Sequence, residues 1–283
     1  MANPLGRKST GDEKESETLT PRFRKAIQEA YNRFPEIKAR FDRSGIKPHH
    51  LRRVKELEDL PLTEEFHAFS ELTPGQYGWT QALTTAGIKA DDIVQICLES
   101  DMADLSMALD WSLSEIDAQS LLSGMANLDI QMDIMKSLKV KAFIGRPDFL
   151  LSVAKWHGIN GPLFGQVFSL ESAIIIGEHF EDEQRVELER KLGIGIVKTH
   201  HTQGFYCLGF ECRHRTGYHW PDTILVDIVD RESGRPAAEG GTGDLVVTAS
   251  SYSEPPLIRF NTLDPAYLLN EVCPCGRRAY RLA

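Results

Sequence analysis

The chain has few cysteines, no long uncharged apolar run and no excess of basic charge, and each absence narrows what it can be. Five cysteines among 283 residues are too few for a disulfide-stapled secreted scaffold, and their odd count, with no export signal at the start, points to a reducing compartment and a cytoplasmic protein. No stretch approaches the ~20 apolar residues of a membrane-spanning helix. A formal charge of −9 argues against a nucleic-acid surface. There is no G-x-G-x-x-G, no serine nucleophile elbow and no H-E-x-x-H, so the common dinucleotide, hydrolase and zinc-protease motifs have no foothold. What remains is ordinary globular composition, 41% hydrophobic and 26% charged.

Residues 1–20 are polar and mixed in charge, the composition of a disordered lead. The stretch "PRFRKAIQEAYNRFPEIKARFDRSG" carries apolar residues at helical spacing, broken by Pro35 and ended by Gly45. It opens a helical and linker segment over 21–76, which includes the solvated basic run from His49 to Lys55. From 77 to 217 strand-like apolar runs ("DDIVQICLE", "AQSLLSG", "VKAFIGRP", "SAIIIGE", "IGIVKTH") alternate with helical stretches. That alternation predicts an α/β region with a mainly parallel βαβ sheet. Its ligands are expected at the carboxyl ends of the strands, beside "IGEHF" and "THHTQG". From 218 to 283, "DTILVDIVD", "GDLVVTAS" and "PPLIRF" flank a Gly- and Pro-rich connection and predict an antiparallel, β-rich subdomain.

The tail ends in "VCPCGRRAYRLA". Thiolate ligation of a metal needs about four soft donors from separate segments. Cys273 and Cys275 supply two; "ECRHRTGYHW" offers Cys212, His214 and His219. Cys212, His219, Cys273 and Cys275 would make a Cys3His zinc site, structural because four protein ligands leave no open position. The alternative is a set of unrelated thiols on turns. Cys97, in "IVQICL", reads as a core residue.

At these residues the chain resembles the phenylacetate–CoA ligase family of adenylate-forming enzymes. "FEC", "GYHWPD", "GRPAAEGGTGDLVVT", "PPLIRFNTLD" and "CPCGR" occur in that family's order, and "IIIGEHF" resembles its adenine-side loop. The resemblance implies the large N-terminal domain of such ligases, with Gly177, Glu178, Thr202, Gln203 and Asp264 on the nucleotide side and zinc at the cysteines. Against the family pattern, Gln203 stands where a magnesium-binding glutamate is expected, Leu263 replaces a glycine, and His200 and His201 replace the Gly and its neighbour at the pocket mouth. Phe205 and Tyr206 suggest an aromatic or apolar acid pocket. Between Pro61 and Trp79 no Ser/Thr/Gly-rich triphosphate loop is present, and the chain stops where the lysine-bearing C-terminal lid would begin. The resemblance therefore implies a pocket for AMP, ATP or an acid without independent adenylation, a pseudoenzyme, and puts its use of coenzyme A in doubt. Three readings stay open: a ligase completed by a partner, a non-catalytic regulatory protein acting as a homodimer or with a full-length ligase, and a structural remnant.

Overall fold

The computed structural model describes residues 18–64, 78–125, 127–160, 164–177, 180–202, 206–238, 240–250 and 257–283. In chain order the main elements are α1 (Pro21–Arg33), α2 (Pro35–Ser44), α3 (Trp79–Thr85), β1 (Ile93–Cys97), α4 (Ala103–Ser114), β2 (Gln119–Leu122), α5 (Leu128–Ser137), β3 (Ala142–Gly145) and α6 (Pro147–Asn160). They continue through β4 (Ser172–Ile175), α7 (Asp182–Leu192), β5 (Gly195–Thr202), β6 (Tyr206–Phe210), β7 (Ile224–Val229), β8 (Gly243–Ala249), β9 (Phe260–Leu268) and β10 (Tyr280–Leu282). The chain divides into two compact units, one of residues 1–71, 224–267 and 282–283, the other of residues 72–223 and 268–281.

In the first unit, α1 starts with proline at its first turn and buries Phe23, Ala26, Ile27 and Ala30, the i, i+3, i+4, i+7 stripe of an amphipathic helix. Pro35 ends α1 and opens α2, which stops at Gly45 in the left-handed conformation, φ 72°. These helices share a core with Leu51, Leu57, Leu60 and Ile258. Strands β7, β8 and β9 pair antiparallel. The Ala283 amide returns to this unit and donates to the Pro265 carbonyl at 2.8 Å. The antiparallel expectation for this stretch agrees with the fold.

The second unit is built on a six-stranded sheet of order β2-β1-β3-β4-β5-β6. The first five strands are parallel, and β6 pairs antiparallel with β5. β3 reads as an apolar run and β1 as one interrupted by the buried Gln95, because both faces are covered; Val94, Ile96, Phe143 and Ile144 are all buried. Phe143 stacks on Phe149 of α6 at 4.8 Å between ring centroids, in a core that includes Met135, Leu150, Ile175 and Ile196. Cys97 is buried in the same core, and burial pushes its thiol up to about 11, so it is an inert core thiol, as its apolar context predicts. α7 carries acids in its first turn, bases in its last and Gly193 at φ 69° beyond its end, matching the helix dipole and its left-handed cap. Among the described residues no helix is long and apolar enough to cross a membrane.

Candidate functional site

Four ligand-type side chains from two distant segments converge in the second unit. Cys212 follows β6. An isolated bridge between Phe210 and His219, with both backbone hydrogen bonds at 2.9 Å, folds the intervening loop back on itself. A second bridge, Tyr218 to Tyr280, and the Leu269 amide on the Ala279 carbonyl hold the tail segment alongside. The tail turns through Cys273–Arg277: the Gly276 amide donates to the Cys273 carbonyl at 2.7 Å, and Gly276 sits at φ 88°, which favours glycine. The "CPCG" run thus aims two sulfurs at one centre.

The Cys212 and Cys273 Sγ atoms lie 3.6 Å apart. His219 Nε2 lies 3.3 Å from Cys212 Sγ and 3.4 Å from Cys275 Sγ. A tetrahedral zinc with Zn–S about 2.3 Å and Zn–N about 2.0–2.1 Å requires S···S near ~3.8 Å and S···N near ~3.5 Å. The donor set therefore has the spacing of a Cys3His metal centre. His219 Nδ1 is 2.8 Å from the Arg278 carbonyl; donating there leaves Nε2 to face the sulfurs. Burial holds the His219 imidazole below its usual pKa, the neutral form a metal needs. Burial raises Cys273, but the Cys275 amide, the Thr216 hydroxyl and the neighbouring thiols outweigh it and leave Cys273 lowered. Burial and the two neighbouring cysteines push Cys275 up to about 11. One thiolate thus opposes the next, a conflict that a bound dication removes. His214, the other candidate, faces the Arg213 guanidinium instead, and its amide donates to Cys212 Sγ at 3.4 Å.

The nucleotide-side candidates are placed as follows. Gly177 lies just past β4 at φ 124°, with open space where a Cβ would stand. Thr202 is the last residue of β5. The strand therefore runs past His200, where the sequence stretch "IGIVKTH" ended, through His201. His200 is buried, its Nδ1 2.8 Å from the Tyr280 hydroxyl, which makes it part of the packing under β6. His201 faces a cavity of about 360 Å³ lined by Met102, Arg146, Pro147, Asp148, Ile176, Gly177 and His201. Glu178, Gln203 and Phe205 lie outside the described residues. Asp264 lies in the first unit, on β9, in a bulge where Asp244 pairs with Pro265 but Val246 with Asn261.

Leu263 within this bulge adopts φ 65° and is 50% exposed. The backbone keeps a left-handed residue where the family pattern has glycine. Asn261 Oδ1 accepts the Leu263 amide at 3.0 Å, and Thr262 Oγ1 accepts the Asp264 amide at 3.2 Å. A left-handed leucine costs about 1–2 kcal/mol. Leu263→Gly removes that cost against a larger unfolded-state entropy, for a net gain of about 0.5–1 kcal/mol. The expected result is a higher urea midpoint at unchanged m-value; an unchanged or lower midpoint would show that the bulge tolerates leucine without strain.

The chain thus combines a cavity, a Cys/His cluster and a doubly covered parallel sheet. No family model matches it. Phenylacetate-coenzyme A ligase of Thermus thermophilus is 22% identical over 300 residues, 92% of this chain and 67% of that protein. The Escherichia coli enzyme of the same name is 22% identical over 305 residues, 93% of this chain and 69% of its own. In sequence the chain is similar to the phenylacetate-coenzyme A ligases. Among solved structures, an open conformation of 2-hydroxyisobutyryl-CoA ligase in complex with 2-HIB-AMP and CoA superimposes with a TM-score of 0.77 at 17% identity, covering 100% of this chain and 74% of that one. The amide bond synthetase McbA of Marinactinospora thermotolerans matches 71% of this chain at a TM-score of 0.55. The fold is that of the N-terminal domain of adenylate-forming ligases.

Reading the sequence of this ligase relative did not single out Glu211 or Arg185. Glu211 precedes the ligand Cys212 and is buried with Arg185 of α7, 2.5 Å from its guanidinium. An acid beside a candidate ligand and an arginine on the same helical face as Leu188 and Leu192 were the available signals.

Proposed function

We propose that this chain is an acyl- or aryl-CoA ligase-like protein that holds a nucleotide or carboxylic acid but does not form adenylates by itself, and that a structural zinc pins its tail. The observation that carries the first part is internal to the chain: "LTEEFHAFSELTPGQYG" connects Pro61 to Trp79 without the glycine-, serine- and threonine-rich loop whose amides cradle a triphosphate in phosphate sites. Gln203 agrees with this reading, since a neutral amide is a poor ligand for a hard cation. The positions that match on the nucleotide side are Gly177, Glu178, Thr202 and Asp264. The geometry that supports zinc is the Cys212–His219–Cys273–Cys275 cluster, whose donors all lie within 4.8 Å of one another. Its four protein ligands close the coordination sphere, so the ion would order the tail and take no part in chemistry.

Calorimetric titration of zinc-replete protein with AMP and then with magnesium–ATP tests the ligand half. The expected result is AMP binding in the micromolar range, about −8 kcal/mol, with ATP gaining no more than about twofold, a few tenths of a kcal/mol. Much tighter ATP binding or release of pyrophosphate would restore the enzyme reading. Binding of neither would leave the regulatory reading, in which the chain acts on a full-length ligase.

A further inference from the structure

The parallel strands run in the order 2-1-3-4-5, so the connection after β1 leads to one side of the sheet and that after β3 to the other. In open parallel sheets the crevice outside the carboxyl ends of two such strands is where ligands bind. The ~360 Å³ cavity lies there. Met102 follows β1, Arg146 and Pro147 follow β3, Ile176 and Gly177 follow β4, and His201 is on β5. Its size is within the usual range of small-molecule sites, about 300–1,000 Å³.

Most of that wall is apolar or featureless: Met102, Pro147, Ile176 and Gly177. The polar members are the exposed Asp148, His201 and the half-buried Arg146, the one full positive charge. No hydrogen bond or ion pair reaches its guanidinium among the described residues, and Asp148, exposed at the rim, does not pair with it. A guanidinium presents five donors and stays charged at any physiological pH. Half-buried at the cavity wall, it leaves those donors available to an anion. Among the other withdrawn cations of this unit, Arg185 pairs with Glu211 and Asp182 and Lys198 with Asp182, while Arg277 lies over the Phe210 ring.

We infer that Arg146 is the anion anchor of this cavity, a specificity-determining residue that makes the switch-point crevice select ligands with a carboxylate on a small apolar body. The carboxylate takes the guanidinium fork, in the two-bond geometry that arginine favours. The apolar body lies against Met102, Pro147 and Ile176. Those apolar walls suit the hydrocarbon body of an organic acid, to which the anion is assigned. The inference rests on reading the chain as a ligand-holding protein and names the residue that selects the acid.

The test uses the full chain, titrated by NMR or calorimetry with phenylacetate and with its uncharged amide, phenylacetamide. The expected result is a preference for phenylacetate of at least about tenfold, the scale of a hydrogen bond to a charged group. Arg146→Met should abolish that preference, and Arg146→Lys should keep part of it because the charge remains. Thermal melts of each variant report folding; if Arg146→Met does not fold, the wild type and Arg146→Lys decide between themselves. Equal binding of the two probes, no binding of phenylacetate, or a preference that survives Arg146→Met would overturn the anchor. AMP binding with no such preference would sink Arg146 alone, whereas the preference without AMP binding would sink only the nucleotide half of the proposed function.

Discussion

Protein purified without chelator is expected to carry about one zinc per chain, and Cys273→Ser to lose most of it. The reason is geometric. Cys273 is buried, 3.6 Å from Cys212 Sγ, and without its sulfur the centre falls to three donors while Cys212 and Cys275 keep their mutual repulsion. Structural zinc in small domains supplies about 10–16 kcal/mol of apparent binding energy. Here two hydrophobic cores fold the rest of the chain, so the loss falls on the tail from Leu268 to Arg281 and on the loop from Cys212 to His219. A destabilisation of several kcal/mol corresponds to a melting temperature lower by roughly 10 °C or more. Metal analysis and thermal melts on wild type, Cys273→Ser and Cys97→Ser check this. Cys97 is equally buried but lies outside the cluster, so its variant should keep the zinc. Full zinc content and unchanged melting in Cys273→Ser would remove the assignment.

Glu211→Ala should destabilise the second unit by about 3–5 kcal/mol. Glu211 accepts from the Arg185 guanidinium at 2.5 Å and from the Lys198 amide at 3.0 Å. Truncation strands a buried arginine whose remaining ion pair is to the exposed Asp182 at 2.7 Å. It also loosens the register of β5 against β6 just ahead of Cys212. The pH dependence has a defined sign. Burial raises the Glu211 pKa, and Arg185 only partly offsets it. The folded state therefore holds this proton more tightly than the unfolded chain does. The corresponding stability is fully present below the ordinary glutamate pKa and is lost as pH rises through the folded value. Glu211→Gln, which carries no titrating proton, should flatten that decline relative to wild type in urea melts run from about pH 4.5 upward. Parallel pH profiles for the two proteins would contradict the assignment, as would a loss below about 1 kcal/mol for Glu211→Ala.

Much of the architecture was legible because its causes are local. Pro35 and Gly45 delimit α2 through fixed φ and left-handed freedom, and the apolar runs at β1, β3 and β4 record burial on both faces of a sheet. The four metal-type residues were legible as donor types, since few combinations of Cys and His suit a soft cation. Other features depend on segments far apart in the chain. That His219 rather than His214 joins the cysteines follows from the Phe210–His219 bridge, which sets the register of that loop. That His200 is packing while His201 lines a cavity follows from strand alternation continuing to Thr202.

By itself, then, the sequence determined the order and type of the elements, the donor types near the tail and the similarity to phenylacetate-coenzyme A ligases, because periodicity, turn chemistry and motif order are properties of neighbours along the chain. Only the tertiary structure decided that the first helices share a compact unit with residues 224–267, that Glu211 meets Arg185, and that Arg146 lines the switch-point cavity. Those outcomes depend on strand order and register, which bring together side chains tens to hundreds of residues apart, and no local pattern encodes which of them will meet.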